Sequence, residues 1–383
     1  MNRGRPRRKI AVITSSRSDY AHLRWLLHDL GNHPSVDLRI IAIGPHLSPE
    51  FGHTSNQIFP PAGPITFVEC LISSDTDIGM AKSLGVATLG LADVLGRSRP
   101  DLIVLIADRY EMLAPASVAL TLRIPIAHIE GGEITSGAID DAVRNAITKM
   151  AHLHFACTRN AQRRLIGMGE EKSKVFWSGS LSLDDIRRSK LLSKRQLRQK
   201  LGVPFDSPTI LAVYHPVTLL QDTVAEAEQI FAALGKLNAQ ILFVYPNADA
   251  GCRKIIDLSR RFECDHRNSK VFINLDHVTY LSLLRNVDLL IGNSSSGMIE
   301  STSLGLPALN IGIRQRGREH AANVLDAPAN SSAILKAINR AIKPAFKEGI
   351  QKLKNPYGDG HASQRIVQVL TETPLGPELL FKT

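Results

Sequence analysis

The 383-residue chain reads as an α/β protein of two Rossmann-like, doubly wound domains facing across a cleft. Three observations predict it. Short apolar runs bounded by turn residues alternate with amphipathic stretches, the βαβ rhythm of parallel sheets covered by helices. The rhythm restarts near Thr209, after a charged, helix-prone stretch over 187–202. Two segments, DLIVLIADRYEMLAPASVALTLRIPIAHI and DLLIGNSSSGMIESTSLGLPALNI, repeat one order of strand, polar loop, helix, Pro turn and strand.

The elements follow from these patterns. Residues 10–14 form a buried strand that enters the polar turn Ser15-Ser16-Arg17-Ser18-Asp19. A helix follows, with Leu23, Leu26, Leu27 and Leu30 on one face. Strands are expected at 38–43, 101–106, 124–129 and 154–157, and helices at 78–95, 111–122 and 140–150. In the second half, strands fall at 209–214, 241–245, 271–273 and 289–291. A helix carries Val224, Ala227, Ile230, Phe231 and Leu234. Helices are also expected at 333–343 and 364–370, with the last residues loose. The domains are 1–186 and 187–365, with a tail 366–383 packing back on the first.

Composition narrows the function class. The chain is 44% hydrophobic and 21% charged, with a net charge of +10. A basic balance favours anionic partners. With 5% aromatic residues and no zinc-finger spacing, nucleic acid is a poorer fit than a phosphorylated small molecule. Cys70, Cys157, Cys252 and Cys264 are scattered, without the pairing of a disulfide framework or zinc site. The apolar run at 10–13 is too short for a signal peptide. No stretch approaches the ~20 apolar residues of a membrane span. A cytoplasmic protein with no membrane partner is expected.

The polar loops carry the chemistry. Gly292-Asn293-Ser294-Ser295-Ser296-Gly297 lies between a buried strand and a helix, where hydroxyls and free N–H groups favour phosphate. The plain alternative is a Ser-rich helix cap. Glu300 could accept from ribose hydroxyls. In the first turn, Arg17 could clamp phosphate, while Asp19 alone fits an N-cap. Asp108-Arg109-Tyr110-Glu111 follows the strongest strand, and His128-Ile129-Glu130-Gly131-Gly132-Glu133 follows its neighbour. Ile139-Asp140-Asp141-Ala142-Val143-Arg144 opens a helix. Carboxylates gathered at strand ends suit proton transfer, although each singly suits a structural role. No histidine pair has metal-ligand spacing beside a carboxylate, and neither GxGxxG nor GxxxxGK(S/T) occurs at the Gly292 loop, so neither metal nor cofactor is expected.

With these residues placed, the chain resembles the UDP-N-acetylglucosamine 2-epimerases over about 9–325. Within them it looks like the hydrolysing branch that makes N-acetylmannosamine for sialic acid. The resemblance rests on ADRYEMLAPA, PIAHIEGGEITSGAIDDAVRNAITKMAHLHF, PNADAG, and IGNSSSGMIES with NIGIRQRGRE. It implies a fold like the B-type glycosyltransferases and elimination of UDP to a glycal, then hydration. Asp108, Glu130 and Asp140 match the acidic catalytic positions. Arg17, Arg109, His215, Ser294, Ser295 and Arg314 match positions near the diphosphate, and Glu300 the ribose position. Asn247 and Asp249 match residues of the cleft, His46 a sugar-side position, and Arg144 belongs to the same substrate-binding set. The family implies a nucleotide-sugar substrate, no metal, and a homo-oligomer, dimer or tetramer. Ser15-Ser16-Arg17 departs from the Gly-Thr-Arg of many relatives.

Four other readings stay open at this point. They are a hydrolysing enzyme on a related diacetamido or GDP-linked donor, a non-hydrolysing epimerase, a B-type glycosyltransferase, and a non-enzymatic sugar-nucleotide sensor. Residues between Pro45 and Thr76 are where the donor sugars would be told apart.

Overall fold

The computed structural model describes residues 7–47, 63–72, 74, 76–106, 109–136, 139–206, 208–217, 220, 222, 224–246, 251–273 and 275–382; of Arg17 and Ser18 it describes the backbone. The chain divides into two compact units. Unit 1 takes 1–133, 139–185 and 357–383, and unit 2 takes 134–138 and 186–356. They divide at Asp185/Ile186 and Pro356/Tyr357, where the sequence predicts 186/187 and 365/366.

Unit 1 runs β1 (Arg8–Thr14), α1 (Arg17–Gly31), β2 (Val36–Ile43), β3 (Ile65–Val68), α2 (Asp77–Ser98), β4 (Leu102–Ile106) and α3 (Leu113–Thr121). It continues through β5 (Ile126–Ile129), α4 (Asp140–Met150), β6 (Leu153–Ala156), α5 (Arg159–Gly167), β7 (Val175–Trp177) and α6 (Ser182–Arg188), which ends just past the unit boundary. The seven strands lie in the order β3-β2-β1-β4-β5-β6-β7, all parallel. Every residue of β4, LIVLI, is buried, because helices cover both faces of the sheet.

Unit 2 runs α7 (Lys194–Leu201), β8 (Thr209–Val213), α8 (Ala225–Leu234), β9 (Gln240–Val244), α9 (Cys252–Asp265), β10 (Ser269–Phe272) and α10 (His277–Asn286). Then come β11 (Leu289–Gly292), α11 (Glu300–Ser303), β12 (Ala308–Ile311), β13 (Val324–Ala327), α12 (Ser331–Ala341) and α13 (Pro344–Gly349). Its parallel sheet has the order β10-β9-β8-β11-β12-β13. The order in which strands are added reverses once in each sheet, between β1 and β4 in unit 1 and between β8 and β11 in unit 2. Loops leaving the carboxyl ends of such strands are where open α/β sheets bind ligands.

Three expectations need correction. The last residues, beyond the helix expected at 364–370, are not loose. The helix α14 (Ala362–Glu372) belongs to unit 1. Its N-terminus is capped by the buried Asp184, which accepts from the Ala362 and Ser363 N–H groups at 2.9 and 3.1 Å. Ile366 and Leu370 complete the core beneath α1. Beyond it, Lys382 donates to the Thr148, Lys149 and Ala151 carbonyls at the end of α4, and pairs with Glu170 at 2.8 Å. Second, α2 is long and apolar enough to cross a membrane by length and composition alone. Lys82 and Asp93 break the run to the eye, while glycine, alanine and leucine keep its average apolar. Third, the helix expected over 111–122 begins as a 3-10 turn at Tyr110–Met112 and becomes α-helical only at Leu113.

Candidate active site

In unit 1, the loops after β1, β2 and β4 meet around a buried histidine. His46 lies in the 3-10 turn that ends β2, and its Nε2 is 3.0 Å from the Thr14 hydroxyl. Burial holds the imidazole down at about 4; Asp19 pulls it up and Arg109 pushes it further down. His46 is therefore neutral near pH 7. Asp19 is not the N-cap of α1. Ser16 is, through its hydroxyl to the Asp19 N–H. The Asp19 carboxylate instead reaches back to the Ser15 N–H and hydroxyl, at 3.2 and 2.5 Å, and ties down the first polar turn.

Arg109 pairs with the buried Glu111 at 2.9 Å. Burial pushes the Glu111 carboxyl up, and Arg109 pulls it back. Its other oxygen, Oε2, has no hydrogen-bond partner among the described residues. A buried carboxylate with one strong partner fixes that partner, because releasing it would strand the charge. Glu111 thus aims the Arg109 guanidinium, a role that strand-end placement alone does not reveal.

The loop after β5 is built on strained backbone. Glu130 is buried and has φ +69°, the left-handed region that costs a non-glycine residue ~1–2 kcal/mol. Its N–H bonds to the Phe155 carbonyl at 2.9 Å, which holds that conformation. At Gly132, with φ +77°, a Cβ would lie 2.5 Å from the Ala161 carbonyl oxygen, so only glycine fits. Arg144 is fully buried. It donates to the Glu133 carbonyl at 2.8 Å and pairs with Asp141. The sequence reading puts Arg144 among substrate-binding residues; the structure places it under the loop as a brace. Glu133 also accepts from the Tyr357 hydroxyl at 3.2 Å. Asp140 opens α4, where a carboxylate is favoured by the helix dipole.

In unit 2, Asn293 organises the loops after β8 and β11, and sequence reasoning gave it no such role. Its Oδ1 accepts from the His215 N–H at 2.7 Å, and its Nδ2 donates to the His215 carbonyl at 2.8 Å. Its own carbonyl accepts from Arg314 and Gln315 at 3.1 and 3.0 Å. His215, Asn293 and Arg314 are thereby brought together. Just before it, Gly292 has φ +132°, and a Cβ there would sit 2.0 Å from the Val213 carbonyl oxygen.

Ser294 caps a 3-10 turn over Ser295–Gly297, and α11 has only four residues. The expected helix N-terminus is thus one turn long, with little macrodipole behind it. Hydroxyls and main-chain N–H groups remain to meet an anion. Glu300 is buried, and its Oε2 has no hydrogen-bond partner among the described residues. The Tyr280 phenol is pushed up to about 12 by burial, eased by the Ser296 hydroxyl and raised by the Glu300 charge.

Asp108, Asn247 and Asp249 lie outside the described residues, as does the side chain of Arg17, the first residue of α1. Among the described residues no group of three His, Cys, Asp or Glu side chains is placed to hold a metal ion.

Comparison with known proteins decides the family. The model described as UDP-N-acetylglucosamine 2-epimerase matches residues 28–371. The chain belongs to the UDP-N-acetylglucosamine 2-epimerase family. It is 38% identical to the GDP/UDP-N,N'-diacetylbacillosamine 2-epimerase (hydrolyzing) of Campylobacter jejuni over 85% of each chain. It is 36% identical to the UDP-N,N'-diacetylbacillosamine 2-epimerase (hydrolyzing) of Legionella pneumophila over 98% of each. Identity to a UDP-N-acetylglucosamine 2-epimerase of Neisseria meningitidis is 30% over 87% of each. The fold matches a crystal structure of a UDP-GlcNAc 2-epimerase from that organism bound to UDP-GlcNAc. Its TM-score is 0.80 at 19% identity, covering 95% of this chain and 100% of that one.

Proposed function

We propose that this family member is a hydrolysing 2-epimerase whose donor is UDP-N,N'-diacetylbacillosamine. The observation that carries this is the ranking of relatives. Two named for that substrate share 38% and 36% identity, against 30% for one named for UDP-N-acetylglucosamine. The finer sequence reading, UDP-N-acetylglucosamine hydrolysed to N-acetylmannosamine for sialic acid, gives way to what stood there as its alternative.

The reaction needs three things. A base removes the C2 proton while the C1–O bond breaks and UDP leaves, giving a glycal. Water then adds its oxygen to C1, and an acid returns a proton to the opposite face of C2. Cations and N–H groups take up the charge of the departing diphosphate. Asp108, Glu130 and Asp140 are assigned to the proton transfers. Arg17, Arg109, His215, Ser294, Ser295 and Arg314 are assigned to the diphosphate, Glu300 to the ribose, and Asn247 and Asp249 to the nucleotide-sugar. The neutral His46 supports a sugar-side role, because it can donate or accept a hydrogen bond without adding charge.

The test is turnover in D2O followed by proton NMR, with both donors supplied in turn. The expected products from UDP-N,N'-diacetylbacillosamine are UDP and the free manno-configured diacetamido sugar carrying deuterium at C2. A higher kcat/KM for UDP-N-acetylglucosamine would overturn the donor. An intact UDP-linked epimer as lasting product would overturn hydrolysis.

A further inference from the structure

The far end of α4 is closed by a positive charge. The last carbonyls of a helix have no partner within it and carry the negative end of its dipole. Here the Thr148, Lys149 and Ala151 carbonyls converge with the carboxylate of the buried Glu170 on the Lys382 ammonium. The four oxygens lie 3.0, 3.0, 2.6 and 2.8 Å from its Nζ. An ammonium has three protons, one fewer than the oxygens it faces. The arrangement is a cage for a charge rather than a set of directed hydrogen bonds. The other oxygen of Glu170 pairs with Lys149 at 2.9 Å, and His154 Nε2 lies 3.0 Å from the oxygen that meets Lys382. Burial holds the His154 imidazole down, so it adds no charge near pH 7. The tail that delivers Lys382 is anchored independently of it. Leu379 is buried in the unit 1 core, and the Phe381 carbonyl accepts from Lys174 at 3.2 Å.

We propose that this cage is a monovalent-cation site whose resident cation is the chain's own Lys382, and that it takes a potassium or ammonium ion once the lysine is removed. Three of its four oxygens are main-chain carbonyls, the groups that replace the hydration shell of potassium in selectivity filters. The distances exceed the ~2.0–2.1 Å of magnesium, and three of the four exceed the ~2.3–2.6 Å of calcium. A single carboxylate, shared with Lys149, also supplies too little negative charge for a divalent ion. A tethered lysine fills the cage at any salt concentration, so the wild type is indifferent to the cation in solution. The helix so held is the one that Asp140 opens at its other end.

Thermal unfolding of the full chain in potassium, ammonium, sodium and tetramethylammonium chlorides, at equal ionic strength, tests this. In tetramethylammonium, which is too large to enter, Lys382→Ala should unfold about 4 °C or more below the wild type. Potassium and ammonium should each return at least half of that loss, and the smaller sodium ion less. The wild type should unfold at one temperature in all four salts. Adding Glu170→Gln to Lys382→Ala should abolish the difference between potassium and tetramethylammonium. The proposal fails if Lys382→Ala loses nothing, or if potassium does no more for it than sodium or tetramethylammonium. An equal potassium shift in the wild type would mark a general salt effect and overturn it, as would a potassium effect that survives Glu170→Gln.

Discussion

At the scale of single residues, the candidate site is held by side chains that fix its loops and cations. Asn293 clamps both main-chain groups of His215, and Glu111 holds Arg109. Neither is a reacting group in the proposed chemistry, yet each fixes one that is assigned to the substrate. Removing the clamp at its base is the clearest probe: Gly292→Ala forces a Cβ onto the Val213 carbonyl. It should cost more than ~1 kcal/mol of unfolding free energy in urea and weaken UDP binding. Glu130→Gln is the opposite kind of change, since it keeps shape and removes the charge. Turnover should fall by on the order of 10²–10⁴ while calorimetry shows UDP affinity near wild type. Equal losses in both would remove Glu130 from the proton transfers. His46 gives a pH signature. Its folded value of about 4 lies below the ordinary 6.5, so its contribution is full above 6.5 and is lost as pH falls towards 4. Across that window the loss is about 1.4 kcal/mol per pH unit, because the unfolded chain takes up a proton that the folded one refuses. In His46→Gln the slope of stability against pH should be shallower by that amount.

At the scale of elements, what was legible followed burial. The central strands β1, β4, β8 and β11 are continuous apolar runs, because both faces of a parallel sheet are covered. The polar loops at their ends were legible for the same reason, as breaks in those runs. The edge strands of the unit 1 sheet, β3, ITFV, and β7, VFW, are four and three residues long, too short for a run of their own to read as a strand. The partners of the C-terminal clasp were hidden as well. Asp184 caps α14 from 178 residues away, and no local pattern marks such a pair. The bond of the buried Arg144 to the Glu133 carbonyl was hidden too, because sequence shows charge and not direction. Lys382 is the sharpest case: one residue from the end of the chain, it donates to three carbonyls at the end of α4 and meets the buried Glu170. Glu170 is held well below the usual carboxylate range; burial opposes this, and His154, Lys382 and Lys149 outweigh it. Lys382→Met should cost about 2 kcal/mol, since charge-assisted hydrogen bonds are lost and a buried carboxylate keeps fewer cations. Thermal unfolding of the variant measures it.

At the scale of the whole molecule, each unit carries its own core. Unit 1 has two apolar layers, one on each face of its sheet, and unit 2 has a separate cluster around β8 and β11. The residues assigned to the nucleoside lie in unit 2, and the described residues assigned to proton transfer lie in unit 1. This separation makes the assignments testable without turnover. Uridine, which lacks phosphate and sugar donor, should slow amide hydrogen exchange at 289–303 and leave 130–133 at the unliganded rate. Binding to the native state alone adds about 2.7 kcal/mol at a hundredfold excess over Kd, so the slowing should approach a hundredfold where exchange requires opening of the bound segment. The nucleotide sugar should add protection at 130–133, because the loop of Glu130 is assigned to the sugar. Slowing at 130–133 by uridine alone would place the nucleoside in unit 1. It would also leave the buried Glu300 oxygen, which has no hydrogen-bond partner among the described residues, without the ribose assigned to it.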